Sequence, residues 1–153
     1  MENYFLVKAT YTTNVGKEDK KVTESYLFET ICYKDAEDQA IKMLKDNISG
    51  EFEVTDIKKV SYNDIFENPL DLNENIEKFW YECKVFYISF DENSGVEKKM
   101  TSKCLMEGVN IKDVNKRLNE LFKNSNGDNY RILSIIETPI LGIFKISDLK
   151  ENQ

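Results

Sequence analysis

Two glutamates, Glu29 and Glu107, are the residues whose type and spacing come nearest to catalytic chemistry. They lie 78 residues apart and end two matched stretches, Lys20-Lys21-Val22-Thr23-Glu24-Ser25-Tyr26-Leu27-Phe28-Glu29 and Lys98-Lys99-Met100-Thr101-Ser102-Lys103-Cys104-Leu105-Met106-Glu107. Carboxylates contributed by two repeats could do general acid-base work or hold a divalent cation. The simpler role is to end a strand, support a turn or pair with a nearby lysine. The chain has no histidine, no glycine-rich phosphate loop and no GxSxG nucleophile motif, so the expectation is a protein that is not an enzyme, with no metal site and no cofactor. Cys32, Cys83 and Cys104 form no CxxC pair and stand among apolar residues, which makes them small buried hydrophobes.

A second constellation points to nucleic acid. Trp80, Lys84 and Phe86 alternate so as to share one face of a strand, and Tyr4 and Lys8 are the counterparts of Trp80 and Lys84 at an offset of 76 residues. Single-strand binders use such sheets, with rings stacking on bases and lysines following the backbone. The expected site is therefore Tyr4, Lys8, Trp80, Lys84, Phe86, Lys98 and Lys99. Lys20, Lys21 and the cations of the second helix, Lys112, Lys116, Arg117 and Lys123, would add charge. In the competing arrangement, the aromatic rings fill the space between the copies and the lysines are only a solvated face.

The elements that must position these residues are duplicated. The offset of 78 continues through Lys34-Asp35 and Lys112-Asp113, Ile57 and Ile135, and Ile65-Phe66 and Ile143-Phe144. In the first copy, residues 5–13 and 21–30 read as strands joined by a loop at 14–19 too long for a two-residue turn. Tyr33, Ala36, Ala40, Met43, Leu44 and Ile48 form the stripe of an amphipathic helix closed by Ser49-Gly50. Residues 52–60 form a third strand, and a short apolar piece ends at Ile65-Phe66. The second copy repeats this with strands at 80–90, 99–109, 130–138 and 140–146. Its helix stripe is Ile111, Val114, Leu118, Leu121 and Phe122, with Asn110 as N-cap and Asp113 in a capping box. The fold expected is α+β: two tandem ββαβ repeats (residues 1–66 and 79–153, with an acidic linker at 67–78) forming a pseudo-twofold antiparallel sheet with two helices and one shared core. The larger second helix is expected to fill volume left by the smaller first one.

Charge is unevenly placed. Residues 1–66 carry 9 basic and 13 acidic groups, 67–78 carry 1 and 4, and 79–153 carry 11 and 11, for a net charge of -7. The first half would repel a polyanion, whereas the second would tolerate one. No apolar run approaches the roughly 20 residues that span a bilayer, and Met1-Glu2-Asn3 does not open a secretion signal, so the expectation is a cytoplasmic protein with no membrane partner.

Several motifs together resemble a known but uncharacterised family. They are Trp80-Tyr81-Glu82-Cys83-Lys84-Val85, the run from Lys20 to Leu27, Asp35-Ala36-Glu37 opening a helix, Ser49-Gly50-Glu51-Phe52 followed by Val54, and Glu137-Thr138-Pro139-Ile140. They are similar to a two-repeat domain of unknown function, DUF4494, found in gut Bacteroidetes and the crAss-like phages that infect them. The resemblance implies no activity and no site residues. The many Asn, Lys and Ile residues suit an AT-rich genome, which leans toward a phage or other mobile element. The expected function is a non-enzymatic binding protein engaging single-stranded nucleic acid in phage or mobile-element DNA metabolism, with a plan similar to PUR-type single-strand binders. The alternative is an acidic adaptor or inhibitor of a host or phage protein. Either would be a monomeric pseudo-dimer or a homo-oligomer.

Overall fold

The computed structural model describes residues 3–16, 18–68 and 76–145. The element order is β1 (Asn3–Val15), β2 (Glu18–Thr30), α1 (Tyr33–Asn47), β3 (Phe52–Val60), β4 (Asp64–Phe66), β5 (Phe79–Phe90), β6 (Glu97–Gly108), α2 (Ile111–Asn126), β7 (Tyr130–Glu137) and β8 (Ile140–Phe144). This is an α+β fold in which ββαβ occurs twice. Most of the acidic linker, with its Pro69, lies outside the described residues.

The strands form two sheets, ordered β3-β1-β2-β8 and β4-β6-β5-β7, and each is mixed. The antiparallel expectation holds for the three long strands of each repeat. It gives way at one edge, where β8 runs parallel to β2 and β4 parallel to β6. The short strands are exchanged: the chain divides into one unit of residues up to Ser61 together with those from Pro139 on, and a second unit of Tyr62–Thr138. Each hairpin has one outer edge paired with its own third strand, and the strand from the other repeat pairs with the remaining edge, whose N–H and C=O groups would otherwise be open.

Both sheets repeat the same irregularity. The register slips between Lys8 and Ala9 where β1 meets β3, and between Lys84 and Val85 where β5 meets β7, which are the same place at the 76-residue offset. The first hairpin is tighter than expected. Val15 pairs with Glu18, and Gly16 at φ 70° supplies the left-handed backbone that a short hairpin needs. The second hairpin keeps its longer loop, in which Asp91 accepts hydrogen bonds from the backbone N–H of Asn93 and Gly95.

Each unit has its own buried cluster. In the first, Phe5, Val7 and Phe28 pack against Ala36 and Ala40 of α1. In the second, Tyr81, Cys83, Val85, Cys104 and Met106 pack against Val114 and Leu118 of α2. The difference in helix bulk is thus made up inside each unit. Where α1 offers alanines, the sheet offers Phe28 stacked on Phe144 with ring centroids 4.9 Å apart; where α2 offers Val114 and Leu118, the sheet offers the smaller Cys104 and Met106. Close packing fixes the sum of the two layers and leaves their division free. Tyr33 and Ile111, counted in the apolar stripes, sit at the first helical position and are exposed, as is Leu121 in part. Cys83 and Cys104 are buried as expected, whereas Cys32 is exposed at the N-cap of α1.

The start of α2 is built tightly. Asn110 Oδ1 accepts from the Asp113 N–H at 2.8 Å, while Asp113, one methylene shorter than the usual Glu, reaches back to the Val109 N–H at 3.1 Å rather than to the cap residue itself. Gly108 is required beside it, because a Cβ there would lie 2.6 Å from Val114 Cγ2 and 3.0 Å from Asp113 Oδ2.

Candidate nucleic-acid interface

Alternation along β5 sends Tyr81, Cys83 and Val85 to the helix and Trp80, Glu82, Lys84 and Phe86 to the opposite, helix-free face of the second sheet. Paired residues of an antiparallel ladder share a face. Lys84 therefore stands between Lys103 and Ser134, Phe86 between Thr101 and Arg131, and Lys99 opposite Ile88. The Arg131 guanidinium lies over the Phe86 ring at 6.0 Å from its centroid, a cation–π arrangement. Lys84, Lys99 and Arg131 are exposed and Phe86 is half-buried.

At the base of this patch, Glu82 is engaged on two sides. The Tyr62 hydroxyl donates to it at 3.2 Å, and Lys103 Nζ lies 3.5 Å away and 5.0 Å above the Tyr62 ring. Burial, followed by the neighbouring Glu82 carboxylate, holds the Tyr62 hydroxyl well above the ordinary tyrosine range. Asn63 fixes the position of Lys103 by accepting from its N–H at 2.8 Å and donating to its carbonyl at 2.7 Å. The acids on this face are thus Glu82, already paired, Glu97 at the hairpin end and Glu107 opposite Trp80.

The expected site residues separate under this geometry. Lys84, Phe86 and Lys99 come together. Trp80 shares their face, but only 7% of it is exposed; the gain from burying an indole removes it as a stacking platform. Lys98 pairs with Ser89 and so projects to the helix side, away from Lys99. Tyr4 and Lys8 belong to the other unit, where Tyr4 stands opposite Glu29 and Lys8 opposite Ser25 and Asp56. Lys103 and Arg131 join the patch and were not among the expected residues. The signal for them was present in the repeat: Lys103 matches Ser25, Arg131 matches Glu53 and Phe86 matches Thr10. The cations of α2 do not join it. That helix packs on the other side of the sheet, and Arg117 is spent on structure, donating to the carbonyls of Glu107 and Glu67.

The duplicated glutamates occupy equivalent places, Glu29 opposite Tyr4 and Glu107 opposite Trp80. Glu29 is buried, and Glu107 accepts from the Asn68 N–H at 3.2 Å. Among the described residues, no three or more acidic or cysteine side chains gather as a metal site. No helix in the described residues is long and apolar enough to cross a membrane.

No curated protein matches the chain. A family model described as a domain of unknown function (DUF4494) matches residues 3–146, nearly the whole length, and the chain belongs to that family.

Proposed function

We propose that this is a non-enzymatic, cytoplasmic binding protein that engages single-stranded nucleic acid through the helix-free face of its second sheet, in phage or mobile-element DNA metabolism. The observation that carries this reading is a divergence between the repeats. At matched ladder positions the first unit has Thr10 opposite Glu53, and the second has Phe86 opposite Arg131. Lys8 faces Asp56, whereas its match Lys84 faces Ser134; Ser25 is replaced by Lys103. Each of these changes adds a cation or a ring, or removes an acid, on one face of one unit, against which Leu6 becomes Glu82 and Lys58 becomes Ile136. A ring bracketed by cations suits a strand whose bases stack while its phosphates are neutralised, and such a site would be tolerant of sequence.

The test is anisotropy of a labelled single-stranded oligonucleotide titrated with the protein. Stacking on Phe86 is worth about 1–3 kcal/mol per base, so Phe86→Ala is expected to weaken binding at least fivefold. Binding that is absent at low salt, or unaltered in Phe86→Ala and Lys84→Ala alike, removes this surface from the reading.

A second reading, an acidic adaptor or inhibitor of a host or phage protein, is favoured by β7. This strand ends its sheet, and its Leu133 and Ile136 are 47% and 57% exposed. An edge strand of that kind accepts an added strand from another chain. Recovery of one specific partner that is lost on Ile136→Lys would support it, while recovery undiminished by that change would count against β7.

A further inference from the structure

On the helix side of the sheets, away from the basic patch, the two units differ at a second matched place. In the first unit, the Glu24 carboxylate accepts hydrogen bonds from both Tyr11 and Tyr26, and the Tyr26 ring lies 6.1 Å from that of Phe144 and 3.6 Å from where a Cβ on Gly142 would stand. The space is filled by the protein's own carboxylate and phenol. At the matched positions of the second unit, Tyr87 and Phe66 repeat Tyr11 and Phe144, but Glu24 becomes Ser102, Tyr26 becomes Cys104 and Gly142 becomes Asp64.

Exchanging a carboxylate and a phenol for a hydroxymethyl and a thiol leaves a concavity of about 440 Å³ beside the end of α2, lined by Asp64, Phe66, Tyr87, Ser102, Phe122 and Asn126 among others. That volume lies within the roughly 300–1,000 Å³ of small-molecule sites. Three aromatic rings line it, and Tyr87 and Phe122 pack on each other with centroids 5.9 Å apart and planes tilted by 49°, so a planar ligand would lie against them and not between them. No hydrogen bond among the described residues uses the hydroxyl of Ser102 or that of Tyr87, and neither oxygen is cut off from solvent. Both hydroxyls are therefore open to a ligand's polar atoms. Among the described residues the one charged group in the lining is Asp64, with no lysine or arginine beside it, which disfavours anionic ligands and suits N–H donors.

We infer that the second unit binds a neutral planar heteroaromatic ring carrying adjacent N–H donors, of the size of a purine nucleoside. Asp64 takes the donors, the hydroxyls of Ser102 and Tyr87 bond the ring's remaining polar atoms, and Phe66, Tyr87 and Phe122 pack against its face. The site is separate from the basic patch, so either can fail without the other.

The experiment is an NMR titration of the full chain with guanosine, inosine and adenosine. Guanosine, which presents two neighbouring donors, is expected to give saturable shifts at Tyr87, Ser102 and Phe122, and inosine, which lacks one of them, to bind more weakly. Asp64→Asn keeps the shape and removes the charge, and is expected to weaken guanosine about tenfold or more, the usual effect of losing a charge-assisted bond. Ser102→Phe refills the space as Glu24 and Tyr26 do in the first unit, and is expected to abolish binding while the circular-dichroism melt persists. Because Asp64 is exposed, its substitution tests the site even if Ser102→Phe fails to fold. The inference is overturned if none of the three gives saturable shifts, if guanosine binds Asp64→Asn as tightly as the unaltered protein, or if the shifts centre on Phe86 instead.

Discussion

Replacing Arg131 by alanine is the most informative perturbation of the proposed interface. Four cationic side chains share that face, Lys84, Lys99, Lys103 and Arg131, and Lys103 is paired with Glu82. If each of the other three neutralises one phosphate of a single strand, log K falls with log salt at a slope of about −2.1, since each contact contributes about −0.7. Between about 50 and 200 mM salt, affinity then drops about twentyfold. Arg131→Ala leaves two contacts, a slope of about −1.4 and a drop of about sevenfold over the same range. It also removes the cation from the Phe86 ring, a contact of about 0.5–1 kcal/mol at an exposed site, so affinity at a fixed salt falls a few-fold in addition. Arg131 is exposed, so its removal is expected to change stability by no more than about 0.5 kcal/mol. The assay is oligonucleotide anisotropy at four or more salt concentrations, with Lys8→Ala as a control on the other unit, where the slope should not move. Equal slopes for Arg131→Ala and the unaltered protein would refute the reasoning, because the guanidinium would then lie outside the path of the backbone.

Three further outcomes test the fold. Gly108→Ala drives a methyl into Val114 Cγ2 and the Asp113 carboxylate that caps α2, and is expected to cost about 1–3 kcal/mol in urea unfolding; an unchanged midpoint would show that the strand end yields freely. Leu118→Ala empties a fully buried position and should cost about 2–5 kcal/mol, whereas Ala40→Leu at the matched position overpacks α1 against Phe5 and Phe28, so both directions destabilise; a stabilised Ala40→Leu would contradict this division of volume between helix and sheet. The hydroxyls of Tyr11 and Tyr26 are both held above the ordinary range, Tyr11 chiefly by its bond to Glu24 and Tyr26 chiefly by burial. The unfolded chain loses these protons first, so their contribution is complete below the ordinary tyrosine value of about 10 and is lost as pH rises beyond it. Tyr26→Phe should flatten the alkaline limb of a stability profile, and a limb of unchanged steepness would assign it to other groups.

Local pattern and repetition made much of this protein legible in its sequence. The constant offset located both ββαβ repeats, and β3 falls at residues 52–60, where its β-branched and aromatic residues put it. The N-cap of α2 was visible in Asn110 because a cap is a contact within four residues. Alternation alone placed Trp80, Lys84 and Phe86 on one face, since successive side chains of a strand point to opposite sides.

Tertiary structure decided what depends on partners distant in the chain. The sequence cannot say that β4 and β8 trade sheets, because a short apolar strand suits either open edge and only the path of the whole chain selects one. Nor does it reveal that Trp80 is withdrawn from water while Phe86, six residues on along the same face, keeps part of its ring exposed. Arg131 reaches Phe86 only because β7 pairs with β5 in one register, shifted by the slip after Lys84. The residues were all in view from the start; which of them share a surface was set by strand pairing across 45 positions, and pairing energy depends on the register of whole strands rather than on any residue's own preference.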